Sequence, residues 1–170
     1  MYHLVIIAGL SFAYVAFFLY VPMFFQKKPA LSARVSLFSV LWIVLASVAV
    51  DIVSFQIPDE QIANRVMHIF GGGVISFLVF FLAVKDAKLK LGRSQFFILG
   101  FLLVATLGVF NEIIEFFLQQ YAHVVFSDTV TDTWLDLTSN TIGALLGGAV
   151  LTPFIPRPRK RTARATAPRS

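Results

Sequence analysis

The chain has 170 residues, 58% of them hydrophobic and only 14% charged, with a formal net charge of +5. A water-soluble domain of this length has too small an interior to hide so much apolar side chain, so composition excludes an ordinary soluble fold and points to a bilayer as the solvent. The basic residues lie in short segments between apolar runs, as topology signals do, and not in a patch suited to nucleic acid.

A membrane-crossing helix needs about 20 mostly apolar residues, and five stretches qualify, at about 3–25, 35–55, 66–84, 96–118 and 135–155. The expected fold class is therefore all-α, a polytopic membrane protein built as a bundle of about five transmembrane helices over residues 1–155. The first run lacks a basic leader and a small-residue cleavage site, and Lys27 and Lys28 close it. It reads as a retained helix and not as a signal peptide. The second run carries Asp51 near its end. In the third, "NRVMHIFGGG" sets His68 one turn before three glycines, and in the fourth "NEIIEFFLQ" sets Glu112, Glu115 and Gln119 among apolar residues. The fifth is the least hydrophobic and opens with "LDLTSN". From Pro156 onward the chain is rich in Pro, Ala and Arg, which predicts a basic, disordered cytoplasmic tail over 156–170.

Basic residues give an orientation. Lys27, Lys28 and Arg34 fill the first connection, Lys85, Lys88, Lys90 and Arg93 the third, and the tail is basic throughout. The second connection offers only Arg65 beside Asp59 and Glu60, and the fourth has no Lys or Arg. Positive-inside reasoning then sets the N-terminus outside and the C-terminus in the cytoplasm of a multi-pass protein, expected in the cytoplasmic (inner) membrane.

On that topology the unusual polar residues converge on the outer side. At about 100° per residue, Glu112, Glu115 and Gln119 form one stripe, and Asp132, Asp136, Asn140, Gly143 and Gly147 form another. Gly143 and Gly147 in a small-xxx-small pattern, with the glycines at 71–73, predict a tight seam between the third, fourth and fifth helices. A charged Glu112 facing lipid at this depth would cost up to roughly 2.5–3.5 kcal/mol, so it should face that seam.

Plain structural roles exist for several of these groups. Thr133 and Asp136 fit a capping box, Asn140 suits an interhelical hydrogen bond, and Gln119, Tyr121, Asp128 and Trp134 suit the membrane interface. The costlier intramembrane groups are functional candidates by default. Glu112 is expected as a central acid or base, His68 as its proton partner and Asp136 as an orienting carboxylate. Glu115, Gln119, Asn140 and Asp132 are expected as ligand-binding groups. The same oxygen and nitrogen donors could hold a divalent metal, but no His-Glu-x-x-His and no Glu-x-x-His pair occurs, so neither a metal nor a cofactor is expected, and no nucleophile elbow or phosphate loop appears. The expected partners are the lipid bilayer and a lipid or lipid-linked ligand at the outer leaflet, with no nucleic acid. Transport of protons or small solutes, and a packing or partner-binding role without chemistry, are the alternatives.

"NRVMHIFGGG", "NEIIEFFLQ" and "DTWLDLTSNTIGALLGG" together resemble the VanZ-like bacterial membrane proteins over about residues 65–150, matching at Glu112 or Glu115, Gln119, Asp136, Asn140 and Gly143, with His68 preceding. That pattern usually has an arginine between the Gln and the Asp, which is absent here. The second glutamate and the "DTWLD" doublet look more like the YjdF-type integral membrane proteins. VanZ-like proteins are associated with low-level resistance to teicoplanin, a lipid-tailed glycopeptide. The resemblance implies an envelope protein with an outward-facing pattern, and not drug resistance as such.

Overall fold

The structure, a computed structural model, describes residues 2–26, 35–123 and 130–156, with side chains for 7–25, 35–123 and 130–156. It consists of five helices: α1 (Tyr2–Gln26), α2 (Leu37–Phe55), α3 (Glu60–Asp86), α4 (Arg93–Ala122) and α5 (Val130–Leu151). A short 3-10 turn, Thr152–Phe154, follows α5, and there is no strand among the described residues. At about 1.5 Å per residue, α3 and α4 are roughly 40 and 45 Å long, enough to cross a hydrocarbon layer of about 30 Å and reach both interfaces. Among the described residues, four helices are long and apolar enough to cross a membrane, α1 over Ile7–Phe25 and α2, α3 and α4 over their whole lengths. Helix α5 is not among them, because its first half carries Asp132, Asp136 and Asn140.

Large apolar side chains point outward, Phe24, Phe55, Phe110 and Val150 among them, as a lipid-facing surface requires. The interior is aromatic. Phe77 and Phe80 of α3 and Phe96 of α4 are fully buried, with Phe80 stacked on Phe96 at 5.2 Å and Phe77 edge-on to Phe80 at 6.1 Å. Such pairs contribute about 0.5–1.5 kcal/mol each beyond the area they bury. Tyr14 and Phe18 of α1 pack with Ile43 of α2 and Val79 of α3 in a second cluster.

The glycine seam expected from the sequence forms between α3 and α5. A Cβ on Gly73 would stand 2.6 Å from the Gly143 carbonyl carbon, and one on Gly147 would stand 2.9 Å from the Phe77 Cβ. The two backbones therefore touch, which only small residues permit. Within α3, Met67–Ile75 is wound as a π-helix and not as the regular α-helix that the apolar run suggests. Such wide turns are rare, and they occur frequently at functional sites.

Two helix starts differ from expectation. Helix α3 begins at Glu60 because Asp59 caps it, accepting from the backbone N–H groups of Gln61 (2.9 Å) and Ile62 (3.0 Å). Helix α5 begins at Val130, so Asp136 lies well inside it and the capping-box reading of Thr133 and Asp136 fails. The expected basic tail lies outside the described residues from 157 onward, as does Asp128.

Ends of the bundle are tied by polar contacts. Arg93, at the start of α4, donates to the Ile155 carbonyl (3.0 Å) and the Pro153 carbonyl (2.7 Å), closing the C-terminal end of α5. Nearby, Asp86 at the end of α3 accepts from Tyr14 (2.6 Å) and Ser39 (2.5 Å). This knot corrects the expectation that polar groups gather only at the other side of the bundle.

Candidate functional site

Asp136 is the centre of the other polar cluster. It faces the α3–α5 seam, buried, with a relative exposure of 2%. From α3, Arg65 donates to Asp136 and to Asp132 one turn away, so one guanidinium spans two carboxylates of the same helix face. Asn64 donates its amide to Asp136 Oδ1 at 3.1 Å, and His68 Nε2 lies 3.2 Å from the same oxygen. Glu112 of α4 completes the group: ligand atoms of His68, Glu112 and Asp136 all lie within 4.8 Å of one another. Counting from the helix ends at about 1.5 Å per residue, these three side chains sit roughly 9–15 Å inside the bundle.

Asn140 lies beneath them. It is one turn below Asp136 on α5, and its amide fills the space left by Gly72 of α3 and Gly108 of α4, each four residues from a cluster member. A Cβ on Gly72 would collide with the Asn140 side chain, and one on Gly108 would come within 3.2 Å of its Nδ2. Three helices thus supply the polar residues above, and the two glycines make room for the amide below. Asn140 Oδ1 and Glu112 Oε1 are buried and have no hydrogen-bond partner among the described residues. An uncompensated buried polar atom is expensive, which makes both oxygens candidates for a bound group.

The cluster opens toward one end of the bundle. Side-chain exposure falls from 26% at Asp132 and 20% at Arg65 to 12% at His68 and 3% at Asp136. Arg65 therefore stands at the mouth and His68 behind it.

Of the residues predicted from sequence, His68, Glu112, Asp136 and Asn140 come together, and Asp132 joins them through Arg65. Glu115 is buried on the same face of α4, accepts from Asn111 Nδ2 at 2.7 Å, and is near enough to act electrostatically on His68 and Glu112. Gln119 is half-buried further toward the end of α4. Trp134 and Tyr121 are exposed, in keeping with an interfacial role. Sequence reasoning missed Arg65 and Asn64. Their signal was the Asp59 cap, which brings both onto α3, with Arg65 three residues before His68. The absence of a metal-binding spacing in the sequence also conceals a possibility: the three donors come from three helices, so no local motif could record them.

Fold and cluster together define a polytopic all-α membrane protein with a buried, mixed-charge site among three helices. The chain matches, over residues 3–157, the family described as Predicted membrane protein (DUF2238), and it belongs to that family. The match supports a membrane protein family and does not extend to the VanZ-like assignment. No curated protein and no solved structure matches the chain.

Proposed function

We propose that the chain is a cell-envelope protein whose cluster binds or modifies the headgroup of a lipid or lipid-linked component, entering from the outer leaflet. The observation that carries this reading is Arg65, partly exposed beside Asp132 at the mouth of the cluster and held by Asp132 and Asp136. A guanidinium there can engage a phosphate or other acidic headgroup while the acyl chains stay in the bilayer. Behind it, His68 and Glu112 are placed for general acid–base work, with Asp136 orienting the imidazole and Asn140 closing the floor. In this reading the basic connections face the cytoplasm and the N-terminus lies outside.

A transport path would need polar side chains running on toward the other end. Fully buried Phe77, Val79 and Phe80 lie along α3 between His68 and Asp86, which favours a site over a path. The test is native mass spectrometry of lipids retained by the purified protein, together with lipid analysis of cells that express it. Wild type is expected to retain or alter one acidic lipid class, and both Arg65→Ala and Glu112→Ala to lose that effect. Identical lipid profiles for all three proteins would end the proposal.

A further inference from the structure

We propose that His68, Glu112 and Asp136 form a binding site for a divalent first-row transition metal, with Zn2+ the best match, and that Asn140 supplies a further oxygen donor from below. Zinc bonds to imidazole nitrogen and carboxylate oxygen are about 2.0–2.2 Å long, so two ligands of one tetrahedral ion stand roughly 3.3 Å apart. His68 Nε2 and Asp136 Oδ1 are 3.2 Å apart. The remaining pairs lie within 4.8 Å.

Two further observations point to a cation. Among the described residues, Glu112, only 8% exposed, has a buried Oε1 without a hydrogen-bond partner, and Asn140, 3% exposed, has a buried Oδ1 without one. Both oxygens are acceptors whose missing partner a metal ion would supply. Charge leads to the same place. Asp132 offsets Arg65, which leaves Glu112 and Asp136, with Glu115 close by, as an excess of carboxylate that a dication would balance. The contacts of Asn64 and Arg65 with Asp136 are of the kind that orient a ligating carboxylate. One imidazole with two carboxylates suits zinc or manganese, whereas calcium would require six to eight oxygens.

Binding of metal requires no lipid, so the proposal stands apart from the headgroup reading. The full chain, purified in detergent with any affinity tag removed and stripped with chelator, is dialysed against Zn2+ alone or Mn2+ alone and its metal content measured. Wild type is expected to take up about one ion per chain, and His68→Gln and Glu112→Gln to bind at least tenfold more weakly. Asn140→Asp, which replaces the amide oxygen with a carboxylate of the same shape, is expected to bind more tightly, and it keeps the test informative if the other variants fail to fold. X-ray absorption at the metal edge should show an all nitrogen and oxygen shell containing imidazole. No uptake of either ion by wild type, equal uptake by Glu112→Gln, or a shell without imidazole would each overturn the assignment.

Discussion

Gly73 of α3 and Gly143 of α5 meet backbone to backbone, and this contact sets the depth at which His68 faces Asp136. A side chain at either glycine would separate the two helices where the polar cluster closes. The neighbouring Gly71 has nothing within 4 Å of its would-be Cβ, although it lies in the same run of three glycines.

Those two glycines should respond oppositely to alanine. Gly73→Ala must push apart backbone atoms of Gly143 and Ala144, and overpacking of this kind costs about 1–3 kcal/mol. Gly71→Ala adds a methyl to open space and should be neutral or stabilising by up to about 1 kcal/mol. Thermal unfolding in detergent measures both, and a Gly71→Ala protein as unstable as Gly73→Ala would contradict the register of the seam.

Arg65 should be needed for folding as well as for the site. Arg65→Ala removes the guanidinium from a buried Asp136 and a partly exposed Asp132, and loss of hydrogen bonds to charged groups costs about 1.5–3 kcal/mol. Arg65→Lys should rescue only part of this, since an ammonium cannot reproduce the fork that reaches both carboxylates. Melting curves of the two variants check the order wild type, lysine, alanine.

At the opposite end, Asp86→Ala should leave Tyr14 and Ser39 without their shared acceptor. The expected loss is about 1–3 kcal/mol, with faster hydrogen exchange where α1, α2 and α3 meet. Lipid retention and metal uptake should be unchanged, because Asp86 is far along α3 from His68.

Much of this arrangement was legible in the sequence, and the part that was not has a physical reason. Apolar run length revealed the helices, since the bilayer sets the length of a span regardless of what the helix packs against. The glycine spacing and the polar stripes on α4 and α5 also carried through, because each depends on periodicity within one helix. Asp59 hid Arg65: hydropathy started the third helix at about residue 66, whereas the cap extends it back to Glu60 and turns Arg65 from a loop charge into a cluster member. The π-helical turn of Met67–Ile75 has no hydropathy signal at all. Nor does the pairing of Tyr14 with Asp86, which are 72 positions apart in the chain.

The account's central claim is that the three-helix cluster serves a function and is not mainly structural glue. Thermal unfolding of Glu112→Gln beside wild type, both stripped of metal, tests this most directly. The substitution keeps the shape of the side chain and removes a buried carboxylate, one of whose oxygens has no hydrogen-bond partner among the described residues. A group kept for function at some expense of stability should be replaceable without loss, so Glu112→Gln is expected to melt at the same temperature as wild type or higher. A clearly lower melting temperature would show that Glu112 holds the bundle together, and would contradict the claim.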